Sequence, residues 1–251
     1  MLNNKSFKII TSAGAAILLW LLLIVLASIS GEGTFNRVVE ALGGTTNGFI
    51  QVMIYGLFFY SILELLEKRK HIQKQHSGFR LGLLPMQDQL VLSPEEVAQI
   101  KLNAIQIEKN GEKFLVGDFI KKACTQYRND QSISETLQVF SAQVDTSKEE
   151  LEGELETVRY LSSAIISLGF IGTLIGLSTS IGMAHLAKTV EGMPQITSSL
   201  NVAFDTTLVA LLIGLVLNFF LHRYLEEMDT FYSRAKSYII DNLISRIYVA
   251  S

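Results

Sequence analysis

The chain has 251 residues, of which 49% are hydrophobic and 18% charged, and its mean hydropathy is +0.33. Soluble domains usually carry about 25% charged residues, so the composition favours a membrane protein over the one or two soluble domains that length alone would suggest. The net charge of −3 gives no indication of nucleic-acid binding. Cys124 is the single cysteine, and without a Cys/His cluster we interpret it as a small buried thiol and expect no disulfide, metal or cofactor site.

Two apolar segments near the N-terminus predict a first pair of membrane-spanning helices. The uncharged run 9–31 has 23 residues, which exceeds the roughly 20 that a span requires. A signal peptide has a shorter apolar core, so we interpret this run as a retained span. A polar connection with a Gly-Gly break, residues 32–46, leads to the second apolar run. We therefore predict an N-terminal transmembrane hairpin over 1–66, with helices at about 9–31 and 45–66.

The next segment, 67–160, is polar and is predicted to form a helical cytoplasmic region. Ser93, followed by Pro94 and by a glutamate three residues after it, is typical of a helix start, and a similar start occurs at Ser132. The first of these helices is expected to stop near Asn110. After Ser132, apolar residues recur every seven positions, which predicts one continuous helix running into the third span. These residues are Leu137, Val144, Leu151 and Val158.

The segment 161–222 predicts a second transmembrane hairpin, which we interpret as the pore-forming part. Its first helix includes a 28-residue stretch without a charged side chain, and a short turn around Pro194 separates it from the second. The second helix contains Asp205, flanked by Thr206 and Thr207. An acid inside a spanning helix costs about 2.5–3.5 kcal/mol on insertion scales, so some interaction is expected to offset it.

The remaining segment, 223–251, keeps helical periodicity and is predicted to continue the fourth span as a cytoplasmic C-terminal helix. The expected fold is thus an all-α membrane protein with four transmembrane helices, whose long helices extend into a helical cytoplasmic domain. With both termini inside, 19 of the 21 basic residues lie on the inner side, and only Arg37 and Lys188 lie outside. The excess of basic residues on the cytoplasmic side of spans predicts this orientation.

Two motifs on the second hairpin carry a resemblance to a known family. Residues 169–176, GFIGTLIG, match the G-x-x-G-T-x-x-G pattern of TolQ and ExbB, and 203–207, AFDTT, match the Ala-x-x-x-Thr pattern of the following helix. The chain therefore resembles the MotA/TolQ/ExbB proton-channel family. Its motifs are similar to those of TolQ and ExbB, and its four-helix topology is similar to that of MotA.

This resemblance implies an ion-channel or stator subunit of a motor complex in the bacterial inner membrane. Members form homopentamers around a dimeric, single-span partner of the MotB, TolR or ExbD kind, which carries the ion-binding aspartate. The complex converts the ion-motive force, the proton being the expected ion and sodium the alternative, into mechanical work. The resemblance places ion-path hydroxyls at Thr173 and Thr207. The sequence offers no nucleophile–base set, phosphate loop or metal cluster, so we expect no enzymatic activity and no cofactor.

Asp205 and Thr206 join the two threonines as candidate ion-path residues. Asp205 lies two positions before Thr207 and therefore points about 160° away from it on a regular helix. It could be a structural partner within the pentamer, a participant in the ion path or a group exposed to an outer vestibule. The threonine hydroxyls could instead be satisfied by carbonyls one turn earlier. The predicted helix-packing residues are Gly169, Gly172 and Gly176.

Two other functions stay open at this point. A stand-alone transporter or membrane scaffold would need no partner, although transporters usually show internal repeats and a helix broken at mid-membrane, neither of which is visible here. A flagellar-type MotA stator subunit is the second alternative.

Overall fold

The computed structural model describes residues 2–31, 33–44, 48–85, 91–109, 113–190 and 192–247. Within these ranges the protein is all-α, as predicted, and a single bridge between Leu92 and Ile247 is the one β-type contact. The α-helices are α1 (Leu2–Ile29), α2 (Thr34–Ala41), α3 (Phe49–His76), α4 (Pro94–Lys109), α5 (Leu115–Asp130), α6 (Ile133–Gly153), α7 (Glu156–Gly182) and α8 (Gly192–Asn242).

Four helical stretches are long and apolar enough to cross a membrane, which confirms the predicted four-span, all-α class. They are Lys5–Ile29, Phe49–Leu81, Ile133–Gly182 and Gly192–Arg246. The apolar part of each stretch exposes many large side chains in the single chain, as expected where lipid or another subunit supplies the surrounding surface.

The chain divides into two compact units. The first combines Met1–Leu66 with Glu156–His222, and the second combines Glu67–Leu155 with Arg223–Ser251. Helices α3 and α8 contribute residues to both units.

In the first unit, α1 and α3 form the N-terminal hairpin. The Lys8 ammonium donates to the Glu64 carboxylate at 2.7 Å, so the charges at one end of the hairpin neutralise each other. The predicted polar connection contains the short helix α2, which the sequence did not predict. The predicted Gly-Gly break follows α2: Gly43 has φ +102°, a left-handed conformation that glycine adopts without steric cost. Residues 32, 45 and 46 of the connection lie outside the described residues.

In the second unit, both predicted helix starts are confirmed. The Ser93 hydroxyl accepts from the Glu96 N–H at 3.3 Å, and the Glu96 carboxylate accepts from the Ser93 N–H at 2.7 Å, which is a reciprocal capping box at the start of α4. The Ser132 hydroxyl caps α6 by accepting from the Glu135 N–H. Helix α4 ends at Lys109, and the predicted stop at Asn110 lies outside the described residues.

Cys124 on α5 is 2% exposed, in agreement with its interpretation as a buried thiol. Burial raises the pKa of this thiol to about 12, so it stays protonated at neutral pH. Its helix buries an apolar face around it, formed by Val116, Phe119, Ile120, Ala123 and Tyr127.

The predicted continuous helix from Ser132 into the third span is wrong at one point. Helix α6 ends at Gly153 and α7 begins at Glu156, and the Leu155 N–H bonds the Glu152 carbonyl, three residues back rather than four. Glycine is a poor helix former, and a tightened i−3 turn is a common way for a helix to end.

The seven-residue seam predicted along α6 is only partly buried. Leu137 is 37% exposed, whereas Phe140 and Val144 are 2% and 1% exposed. Thr136 shares their face, so burial follows the four-residue spacing of an ordinary helix. The predicted continuation of the fourth span is confirmed, because α8 runs unbroken for 51 residues. Its C-terminal part buries Met228, Phe231, Tyr232, Ala235 and Ile239.

Candidate functional site

Helices α7 and α8 approach each other closely along the three glycines of the first motif. A Cβ atom at Gly176 would lie 2.6 Å from the Ala203 Cβ, and one at Gly172 or Gly169 would overlap the side chain of Thr206 or Ala210. Real Cβ atoms do not approach other atoms this closely, so only glycine fits at these positions. The glycines therefore bring the α8 backbone into direct contact with α7, as small residues do in other membrane helix pairs.

This close approach brings Thr173 of α7 and Thr207 of α8 together. The Thr207 hydroxyl donates across the interface to the Gly169 carbonyl at 2.9 Å, and the Thr173 hydroxyl lies 3.1 Å from the Ala203 carbonyl. The two hydroxyl oxygens are also in hydrogen-bond contact with each other. Both threonines are half-buried. We name these two residues the hydroxyl pair.

The hydrogen-bond inventory of the hydroxyl pair determines what it can offer to an ion. Each hydroxyl has one hydrogen to donate and two lone pairs. The Thr207 hydrogen is directed to the Gly169 carbonyl, and the Thr173 hydrogen is directed to Ala203, to Thr207 or, at 3.4 Å, to the Gly169 carbonyl one turn earlier in its own helix. Both donors are therefore used inside the hairpin, and lone pairs remain. An acceptor-rich pair of this kind suits a cation or a protonated carboxyl group.

Thr206 has a different environment from its neighbour. It is fully buried, its hydroxyl donates to the Ala203 carbonyl at 3.0 Å, and its side chain lies against Gly172. With its hydrogen bonded inside its own helix, Thr206 contributes mainly to the packing of α8 on α7.

Asp205 forms an ion pair with Arg37 of α2. The two guanidinium nitrogens Nη1 and Nη2 donate to the two carboxylate oxygens, each at 2.8 Å, in the parallel fork that makes arginine–carboxylate pairs strong. The Asp205 side chain is 12% exposed and that of Arg37 is 44% exposed. Hydrogen bonding to Asp205 raises the pKa of Arg37 further above its ordinary value, so the arginine is always charged. The pair offsets the cost of an acid in α8.

Arg37 is held in place by the packing of α2 against the N-terminal hairpin. The Ser30 hydroxyl donates to the Asn36 side-chain oxygen at 3.1 Å, and the Asn36 amide donates to Glu40 at 3.1 Å. The Tyr55 hydroxyl of α3 donates at 2.6 Å to the carbonyl of Leu42, just after α2. The ion pair therefore ties the N-terminal hairpin to α8.

Sequence reasoning missed Arg37, although a signal was present. Arg37 is one of only two basic residues on the predicted outer side, and Asp205 is the one acid within the fourth span. Ionisable groups in spans usually pair with one another, so these two charges were natural partners. Asp205 and Thr207 contact different helices, α2 and α7, as expected from their opposite directions on α8.

Two further polar contacts join α7 and α8 on either side of the hydroxyl pair. The Ser162 hydroxyl donates to the Asn218 side-chain oxygen at 2.9 Å, and the Ser180 hydroxyl lies 3.2 Å from the Ile196 carbonyl. His185 is exposed, and its ring nitrogen Nδ1 lies 3.1 Å from the Gly182 carbonyl oxygen. Across the part of the chain that the structure describes, no group of His, Cys, Asp and Glu side chains could hold a metal ion.

The comparison with known families agrees with this hairpin. The family model described as "MotA/TolQ/ExbB proton channel family" matches residues 112–236, about half of the chain. No curated protein and no solved structure matches the chain. Members of the family are membrane channels of the bacterial inner membrane rather than enzymes, and they work with ExbD-, TolR- or MotB-like subunits in energy-transducing complexes. The chain belongs to the MotA/TolQ/ExbB proton channel family and is a multi-pass membrane protein with a stator or channel role.

Proposed function

We propose that this chain is the channel-forming stator subunit of a motor complex, and that it converts the proton-motive force into mechanical work through a single-span partner. The observation that carries the proposal is the hydroxyl pair, Thr173 with Thr207, at the glycine-lined contact of α7 and α8. The proposal assigns the ion path to these two hydroxyls, whose lone pairs accept from a protonated carboxyl group on the partner.

Asp205 and Thr206 act on this path indirectly in our proposal. Asp205 has both oxygens bonded to Arg37, so a free carboxylate for ion transfer would require the pair to open. Thr206 packs against Gly172 and so sets how closely α8 approaches α7. The partner therefore has to supply the titrating carboxyl group.

The proposed assembly is a homopentamer around a dimeric partner. Large apolar side chains are exposed on α7 and α8 of the single chain, and an assembly would cover part of this surface. They include Phe170, Leu174, Leu208, Leu211, Leu215 and Phe219. In the proposed orientation both termini are cytoplasmic, as the distribution of basic residues favours.

A stand-alone transporter or scaffold is the competing proposal, and the two differ in their need for a partner. Moving one elementary charge across 100 mV releases about 2.3 kcal/mol, which a motor can use only if ions do not leak past it. The subunit alone should then conduct poorly. Free conduction without a partner would favour a channel or transporter that acts alone.

The test replaces each hydroxyl by a methyl group of the same shape. We expect Thr173→Val and Thr207→Val to reduce partner-dependent proton flux into vesicles by about two- to tenfold each, since a hydrogen bond between neutral groups contributes about 0.5–1.5 kcal/mol. The double variant should lose less than the sum, because both hydroxyls serve one path. Thr197→Val is the matched control, because the exposed Thr197 hydroxyl on α8 bonds only the Met193 carbonyl one turn earlier.

Native mass spectrometry of the same samples separates assembly from conduction. All variants should give five copies of the subunit. If both valine variants keep full flux, the hydroxyls are packing groups and the site assignment is wrong. A protein that is only monomeric would overturn the proposed assembly.

A further inference from the structure

A cleft in the second unit has the properties of an anion-binding site. It has a volume of about 400 Å³ and lies between the end of α3, the 3-10 turn Ser77–Leu81 that follows it, and α8. Its lining residues are Gln73, His76, Ser77, Phe79, Arg80 and Arg234. The volume falls in the range of small-molecule sites, which is about 300–1,000 Å³.

The charged side chains that line this cleft are positive, and no described carboxylate lines it. Arg80 and Arg234 line it, and neither guanidinium forms an ion pair with a described residue, whereas Arg37, Arg69, Arg159 and Arg223 do. None of the lining side chains is a carboxylate. Glu227 is the acidic residue that acts electrostatically on His76. Both of its carboxylate oxygens already accept hydrogen bonds from the Arg69 guanidinium. Among the described residues, the two guanidinium groups therefore have no carboxylate to bind here.

The floor of the cleft holds one of these groups in position. The Arg234 guanidinium carbon lies 4.7 Å from the centre of the Phe79 ring, a cation–π contact that orients the side chain. Phe79 is 6% exposed and packs edge-to-face on Phe231 and Tyr238, with ring centres 5.6 Å apart in each case. The Arg234 guanidinium is thus packed on a buried aromatic cluster, whereas Arg80 is exposed at the edge of the cleft.

We propose that this cleft binds a phosphate-bearing anion. A phosphate group presents several oxygens that match the planar fork of arginine, and His76, Ser77 and Gln73 can add hydrogen bonds to the same group. Two sources share this chemistry, a soluble phosphate compound and the headgroup of an anionic lipid. This site is separate from the hydroxyl pair and does not depend on the proposed ion path.

The test uses the full-length purified subunit and inorganic pyrophosphate as the probe, with binding measured by titration calorimetry. We expect saturable binding at one site per chain. Arg80→Gln should weaken it by about tenfold, as the loss of one charge-assisted hydrogen bond predicts. Arg80 is exposed at the rim and forms no hydrogen bond with a described residue, so this variant should keep the stability of the parent protein. Arg234→Lys keeps the charge but removes the fork, and it should also weaken binding.

The matched control is Arg223→Gln, which removes the same charge from α8 at an exposed ion pair with Glu226 outside the cleft. Its affinity for pyrophosphate should equal that of the parent. Competition with a short-chain, water-soluble phosphatidate distinguishes the two sources: tighter binding than pyrophosphate indicates a lipid headgroup, and weaker binding indicates a soluble phosphate compound. The proposal is overturned if binding does not saturate, or if Arg80→Gln and Arg223→Gln bind alike.

Discussion

The ion pair between Arg37 and Asp205 is the contact in the first unit whose loss has the most predictable consequence. Replacing Arg37 by Met keeps much of the side-chain volume but leaves the Asp205 carboxylate without its two donors. Breaking a buried pair costs about 3–5 kcal/mol, and an exposed pair contributes about 0–1 kcal/mol. With Asp205 at 12% and Arg37 at 44% side-chain exposure, the pair is intermediate, and we expect a cost of about 2 kcal/mol.

The two partners should not be equivalent. Arg37→Met leaves a nearly buried negative charge, whereas Asp205→Asn leaves a positive charge that is almost half exposed and can be hydrated. We therefore expect Asp205→Asn to cost less, about 1 kcal/mol. In the double variant no charge is left unpaired, so its loss of stability should be smaller than the sum of the two single losses.

Thermal unfolding of the purified subunit measures this cycle. At about 2–4 °C per kcal/mol for a chain of this size, Arg37→Met should lower the melting temperature by about 4–8 °C. The control cycle uses Arg159→Met and Glu156→Gln, an exposed pair in the same unit with 41% and 68% side-chain exposure, and its coupling should be under about 0.5 kcal/mol. Equal coupling in both cycles, or unchanged melting of Arg37→Met, would refute the role of this pair as a structural tie.

Three further predictions concern packing, orientation and the thiol. Gly172→Ala should destabilise the α7–α8 contact by about 1–3 kcal/mol in thermal unfolding, because its Cβ meets Thr206, whereas Gly182→Ala, whose Cβ meets nothing within 4 Å, should be neutral. In intact cells, Val190→Cys, at a position 95% exposed, should react with an impermeant maleimide from outside, and Gln106→Cys should react only after lysis; reversed labelling would contradict the proposed orientation. Cys124 should stay unreactive in the folded protein at pH 8. Its pKa is raised by burial, so above about 9, where the unfolded thiol ionises, stability should fall as the pH rises towards about 12. In pH-dependent unfolding a Cys124→Ala variant should show a smaller fall than the parent, and the rest comes from groups such as Tyr232 and Tyr238, whose pKa values burial also raises.

Local features of the fold could be predicted from the sequence because their causes are local. The starts of α4 and α6 depend on Ser93 and Ser132, and each serine caps an N–H only three residues away. The spans follow from uninterrupted apolar composition, which needs no knowledge of neighbours. The prediction of a buried seven-residue seam is wrong at Leu137, which is exposed. The buried side of a polar helix depends on the helices packed against it, and residue spacing alone does not contain that information.

The partner of Asp205 could not be predicted in the same way. Arg37 lies 168 residues earlier in the chain, in a helix of only eight residues that the sequence did not predict. The family motifs cover the hydroxyl pair and the glycines, but Arg37 lies outside the matched range 112–236. A charge inside a span indicates that a partner exists, and the scarcity of basic residues on the predicted outer side left Arg37 and Lys188 as candidates; the packing of α2 decides between them.

The three consecutive polar residues of α8 explain how the hydroxyl pair is held. Asp205 is fixed to α2 by Arg37, Thr206 lies against Gly172, and Thr207 bonds the Gly169 carbonyl. Successive side chains on a helix point about 100° apart, so these contacts restrain rotation of α8 about its axis from different directions. The proposed ion path requires the Thr207 hydroxyl at a fixed place, because the partner's carboxyl group would have to reach it there. The Arg37–Asp205 pair can therefore affect ion flux without binding the ion, and Arg37→Met should lower flux even where pentamers still form.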